Sequence, residues 1–174
     1  MNYRIKEIEK EDLYDYMYVN TYSWIETYKG IMSDEFLDKI KNELEQNVER
    51  LKNKFDQTKI DEPDYKRFIL YVDNEPVGIV AICKSREDKY ANSGELCSLY
   101  LLNKIKKKGY GRILFEKAIE ELKKMNFTDM IIYCIKENPT NEFYKHMGGE
   151  LVYSKGRNIG GKDLIENIYY YKSI

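Results

Sequence analysis

The strongest chemical signal in this chain is the run Lys106, Lys107, Lys108, Gly109, Tyr110, Gly111. Two glycines one residue apart permit a tight backbone turn. The next segment, Arg112–Met125, spaces its apolar residues as a helix does. A helix start exposes unpaired backbone N–H groups and the positive end of the helix dipole. Such a junction can hold a phosphate or another anion. A Gly-x-Gly turn alone is often only a turn. Here Lys104, Lys106, Lys107 and Lys108 add positive charge, which favours the anion-binding reading, although the same lysines would also suit a solvated basic loop.

A second candidate follows in the chain. Gly94–Leu102 and Thr128–Lys136 read as strands flanking this loop and helix, and Pro139–Met147 reads as a short helix. Asn138 stands just before that helix, placed to cap it or to bond a ligand.

The segment Gly94–Glu150 resembles the GNAT superfamily of acyl-CoA-dependent N-acyltransferases. Lys106-Lys107-Lys108-Gly109-Tyr110-Gly111 is similar to the family's pyrophosphate loop, Gln/Arg-x-x-Gly-x-Gly/Ala. Leu99-Tyr100-Leu101 is similar to its strand-end Leu-Tyr-Val, and Asn138, Phe143-Tyr144 and Gly148 match its later pattern. The departures are Lys106 for Gln/Arg, Asn141 where Ala is usual and Gly149 where Phe is usual. The resemblance is specific over about a third of the chain.

The resemblance implies acetyl-CoA as co-substrate and a primary amine acceptor, joined by direct attack in a ternary complex without a covalent enzyme intermediate. Lys106 to Arg112 would hold the pyrophosphate, with Asn138, Asn141 and Tyr144 beside the cofactor. The two middle strands would splay at Leu99–Leu101, opposite Ile132–Cys134, and the pantetheine arm would add to the opened edge. The backbone N–H of Leu101 would face the thioester carbonyl. Tyr144 would be the general acid, since a phenol of pKa roughly 10 can protonate a thiolate of pKa roughly 8.5. Glu95 would be a water-linked base, or else a strand-end carboxylate facing solvent. Trp24, Glu26 and Tyr28 resemble an acceptor-side segment, where Glu26 would meet a cationic amine or simply face solvent. His146, the single histidine, falls where the family carries no catalytic group. A silent acyl-CoA-binding sensor is the alternative, and a polyanion-binding module is a more distant one.

Elements elsewhere must position these residues. Tyr3–Ile8 alternates as a strand, and Glu11–Tyr28 has helical spacing. Ser33 caps a second helix predicted to run to about Phe55, followed by a polar loop over Asp56–Lys66. Arg67–Val72 and Val77–Lys84 form a predicted hairpin around Asp73-Asn74-Glu75-Pro76. Leu151–Lys155 and Leu164–Tyr171 are strands around a glycine-containing loop. The spacing Gly156…Gly161-Lys162 imitates a triphosphate loop, but Asp163 replaces the Ser/Thr that would hold magnesium, and a strand follows where a helix is needed. The order β-α-α-β-β-β-α-β-α-β-β is that of an α+β, GNAT-like three-layer sandwich with a mixed, splayed sheet. One domain over 1–174 is expected.

Composition narrows the class. The 174 residues carry 34 % charged side chains but a net charge of only −1, which gives no general pull toward nucleic acid or membrane. No apolar run is long enough to span a bilayer, and the first residues lack a signal peptide's apolar core. Cys83, Cys97 and Cys134 fall within predicted strands without metal-ligand spacing, which suits buried free thiols in a reducing cytoplasm and no metal. Tyr169-Tyr170-Tyr171 is either a core strand or an aromatic surface for a homodimer, so monomer and dimer both stay open.

Overall fold

The run Phe68–Val72 alternates between two sets of neighbours, and this alternation organises the molecule. Phe68, Leu70 and Val72 face one apolar cluster, with Leu114, Phe115, Ala118 and Leu122. Ile69 and Tyr71 face another, with Leu13, Tyr16, Val19 and Phe55. Successive strand side chains point to opposite faces, so a strand covered on both sides becomes apolar throughout. Complete burial of a side chain such as Leu114 contributes roughly 1.5–3 kcal/mol.

The computed structural model describes residues 2–174. Its strands are β1 (Tyr3–Glu7), β2 (Lys66–Val72), β3 (Glu75–Lys84), β4 (Gly94–Leu101), β5 (Met130–Ile135), β6 (Glu150–Ile159) and β7 (Lys162–Tyr171). Its helices are α1 (Leu13–Tyr28), α2 (Asp34–Asn42), α3 (Leu44–Asp61), α4 (Tyr110–Lys124) and α5 (Thr140–His146). The strands form one sheet in the order β1-β2-β3-β4-β5-β7-β6. Only β4 and β5 pair in parallel. Helices α1 and α3 cover one face, and α4 covers the other. This is the expected α+β three-layer sandwich with a mixed sheet.

Three predictions of element boundaries are corrected. The helix predicted from Ser33 to Phe55 is two helices, broken at Glu43, whose ψ of 0° leaves the helical region. Its apolar stripe serves two clusters: Leu37 packs near Tyr28 and Leu164, and Phe55 near Ile69. The polar stretch Asp56–Asp61 is helix rather than loop, held by Thr58 donating to the Lys54 carbonyl and Gln57 donating to Asp61. The last two strands are longer than predicted. They meet in a two-residue turn at Gly160 and Gly161, both at positive φ (58° and 83°), the backbone a tight hairpin demands. The region that imitates a triphosphate loop is therefore strand and turn.

The C-terminal tyrosines belong to the core. Tyr169 and Tyr171 are buried, Tyr170 donates to Asp129, and β7 lies between β5 and β6. Only Tyr170 stays partly exposed, so the run is a core strand with little aromatic surface for a dimer. Among the described residues, no helix is long and apolar enough to cross a membrane.

Candidate active site

The central feature is a gap in the sheet. β4 and β5 pair only at Gly94↔Met130, Glu95↔Ile131 and Leu96↔Ile132. Beyond Leu96 the strands part, so the gap opens at Cys97, two residues before the predicted splay at Leu99–Leu101. A β-bulge lies at this point, where Ala81 pairs with Ser98 but Ile82 with Leu96, leaving Cys97 as the extra residue. Past the bulge, the N–H of Leu102 bonds the Val77 carbonyl on β3. N–H directions alternate along a strand, so those of Leu101 and Leu99 point the other way, into the gap.

The glycine turn closes one end of this gap. Gly109, at φ 88°, stands immediately before α4, which starts two residues earlier than predicted. A Cβ on Gly109 would meet nothing within 4 Å, so this glycine serves the backbone conformation rather than close packing. Gly111 has an ordinary backbone, and a Cβ there would stand 3.6 Å from Leu101. Both glycines line a cavity of about 440 Å³ with Leu99, Leu101, Lys106, Lys107, Arg112 and Phe143. Its mostly apolar walls and cationic mouth fit a long acyl carrier with a phosphorylated end. Burial lowers the Lys106 pKa, partly countered by Glu26. Lys104 is diverted to Glu75, and Lys108 is exposed outside the cavity.

Tyr110 was expected to offer its backbone N–H. Its side chain is buried in the α4-side core, against Tyr3, so only its backbone can serve a ligand. Asn141 is corrected. Its amide donates to the carbonyls of Ile135, Lys136 and Asn138, and its oxygen accepts from Asn167 and Tyr169. All of its bonding capacity is spent bracing α5 to β5 and β7, and none is left for a cofactor.

Asn138 and Tyr144 meet at the floor of the gap. The Asn138 side-chain oxygen accepts from the Thr140 N–H, and its amide donates to the Tyr28 hydroxyl at 3.3 Å. It therefore caps α5 and ties it to α1. Tyr144 is 5 % exposed, and burial raises its pKa well above the usual value. Among the described residues its hydroxyl has no hydrogen-bond partner, and its ring lines a small cavity with Leu96 to Tyr100, Cys134 and Asn138. A protonated phenol free to donate is what this geometry provides.

A larger cavity of about 550 Å³ opens beyond, and it shares Tyr28, Cys97, Tyr100 and Tyr133 with the small one. Trp24, its ring centre 4.1 Å from that of Tyr28 and tilted 40° to it, forms one wall. Glu95 is fully buried and bonded by both the backbone N–H and the guanidinium of Arg86. It does not face solvent. Hydrogen bonding to Glu95 raises the Arg86 pKa. Glu166, also buried, is paired with Arg157 at 2.7 Å. The hairpin turn closes the cavity, with Gly160 against the Phe36 ring and Lys162 bonded to the Ile31 carbonyl.

Glu26 lies elsewhere. It is exposed and accepts from the Asn103 N–H at 2.7 Å, on the phosphate-loop side rather than in this cavity. His146 is exposed and lines none of the three cavities. Sequence reasoning missed Tyr100, Tyr133 and Glu166. The acids Glu95 and Glu166, each inside an apolar strand, were the available signal, since buried acids need partners.

The fold and this chain of cavities define an acyltransferase of the GNAT type, and the comparisons agree. The model of the acetyltransferase (GNAT) family matches residues 22–148. The chain belongs to that family. It is 26 % identical over 164 residues to the uncharacterised N-acetyltransferase YuaI of Bacillus subtilis strain 168, covering 93 % of this chain and 88 % of that one. The PaiA N-acetyltransferase of Thermoplasma acidophilum, solved with coenzyme A, is 24 % identical with a TM-score of 0.71, covering 98 % of this chain and all of that one. An N-acetyltransferase of Staphylococcus aureus Mu50 superposes with a TM-score of 0.72 at 15 % identity, covering 98 % of each.

Proposed function

We propose that this chain is a cytoplasmic N-acetyltransferase of one domain that moves the acetyl group of acetyl-CoA to a primary amine by direct attack. The observation that carries the reading is the unpaired Tyr144 hydroxyl beside a sheet gap into which the Leu101 N–H points. Acetyl-CoA would supply the activated acyl group. Backbone N–H groups at the start of α4, with Lys106, Lys107 and Arg112, would hold its phosphates. Leu99 and Leu101 would pair with the pantetheine arm as a neighbouring strand does. The Leu101 N–H donates to a carbonyl oxygen in the gap, and Tyr144 supplies a proton to the departing sulfur.

The acceptor enters from the opposite side. Trp24, Tyr28, Tyr100 and Tyr133 suit an amine with an apolar body, while Glu95 and Glu166 face it already paired with Arg86 and Arg157 of the same cavity. Glu95 removes the amine's proton through water once Arg86 yields one of its contacts. The test is calorimetric titration of CoA, followed by thiol-release assays over a panel of polyamines, aminoglycosides, amino acids and peptides. Saturable CoA binding with amine-dependent thiol release supports the reading. Binding without release from any amine would favour a sensor, and no binding would end both.

A further inference from the structure

Cys83 and Cys97 lie on adjacent strands with their sulfurs 2.8 Å apart. The bulge brings them together, because Cys83 pairs with Glu95 while Cys97 is the extra residue of β4. We propose that Cys83 and Cys97 form a reversible oxidation site, a dithiol that closes to a disulfide in the wall of the acceptor cavity. An S–S bond of about 2.05 Å needs the sulfurs to close by less than about 1 Å.

Glu95 completes a trio of possible metal ligands with these cysteines. The geometry favours oxidation over a shared cation. Two thiolates, each about 2.3 Å from a tetrahedral zinc ion, stand more than about 3.5 Å apart. The Glu95 carboxylate is also committed to Arg86.

The two sulfurs differ in access. Cys97 is half-buried and lines both inner cavities, whereas Cys83 is 7 % exposed behind it. Cys97 therefore meets a small hydroperoxide, ROOH, first. Its contact with Cys83, burial and nearby Glu95 raise its pKa, so it reacts from a minor thiolate population and oxidation is slow. The sulfur takes the terminal oxygen to give a sulfenic acid, and ROH departs with the proton. The Cys83 thiol then displaces that oxygen as water. Two thiols and ROOH give one disulfide, ROH and H2O. A thiol–disulfide exchange with a small dithiol reverses it. Cys134 stands apart on β5, its thiol turned to the Ile135 carbonyl.

The experiment treats the folded protein with hydrogen peroxide and counts thiols after denaturation. Three thiols should fall to one, the mass should drop by about 2 Da, and dithiothreitol should restore all three. Peptide mapping should show a Cys83–Cys97 bridge that persists in Cys134→Ser. In Cys83→Ser, dimedone should trap a sulfenic acid at Cys97. Three thiols persisting, a bridge through Cys134 or between chains, or stoichiometric zinc that protects Cys83 and Cys97 would each overturn the proposal. None of these readouts uses acetyl transfer, so this site and the enzymatic reading stand or fall separately.

Discussion

Arg86, with a side chain 71 % exposed, clamps Glu95, whose side chain is 1 % exposed. The pair is lopsided: one charge keeps its water and the other has lost it. Removing the arginine should therefore cost more than removing both charges. Arg86→Ala should destabilise the protein by about 2 kcal/mol, because it leaves a buried carboxylate with only the backbone N–H. In a Glu95→Gln background the same change should cost under about 0.5 kcal/mol. Urea denaturation of the four proteins measures this, and equal costs in both backgrounds would refute the coupling.

Tyr144→Phe separates chemistry from packing. The phenol has no hydrogen-bond partner among the described residues, so the variant should melt close to wild type. Loss of proton donation should lower kcat about 100-fold, at the low end for general acid catalysis. CoA affinity should hold. Unchanged kcat would remove Tyr144 from the mechanism.

The two glycines of the loop should fail differently. At Gly109 the φ of 88° makes alanine cost about 1 kcal/mol wherever the ligand is. At Gly111 the space for a side chain belongs to the cavity, and glutamate near a helix start is favourable. Gly111→Glu should hold or raise the melting temperature while weakening CoA binding at least about tenfold, or 1.4 kcal/mol. Calorimetry with CoA and thermal melts together decide this. Full CoA affinity in a folded Gly111→Glu protein would place the cofactor elsewhere.

Asn141 gives the opposite pattern. Alanine there strands the Asn167 and Tyr169 donors in the interior, which should cost about 2–3 kcal/mol. Because its side chain is spent on these bonds, CoA affinity in the folded variant should match wild type. A tenfold weaker Kd at unchanged stability would return Asn141 to the cofactor.

These contrasts mark what the sequence could show. The sheet and helices α1 and α4 were legible, because both rest on apolar periodicity. So was the glycine turn, because a φ of 88° has few residues to choose from. The acceptor wall was not. Strict alternation from Glu95 puts Leu99 on its face and Tyr100 on the other. The bulge at Cys97 shifts the phase, so Glu95, Cys97 and Tyr100 line the acceptor cavity, while Leu99 and Leu101 line only the cavities toward the cofactor loop, which Tyr100 also reaches. A bulge carries no composition signal. Of the two readings of Glu26, the solvated helix face holds and the amine contact does not: sequence proximity to Trp24 and Tyr28 does not fix a helix face, and Glu26 bonds the Asn103 N–H. Asn141 and Tyr110 sit in the motif, but their side chains answer to neighbours on other elements.

Glu87 accepts from Lys155 at 2.7 Å and from Tyr133 at 2.6 Å, fixing a tyrosine of the acceptor cavity. Bonding to Lys155, then to Tyr133, brings its pKa down to about 2. An unfolded chain holds a glutamate near 4.3. The folded pKa is the lower one, so the unfolded state takes up its proton first as pH falls. The stability from this carboxylate is fully present above about pH 5 and drains away from there to about pH 2. Glu87→Gln lacks that titration. Its deficit against wild type should be constant near neutrality, shrink below about pH 5 and vanish near pH 2. Urea midpoints of both proteins across this range measure it. Parallel curves down to the lowest pH would show that Glu87 titrates alike in the folded and unfolded chain, and that Tyr133 is held by something else.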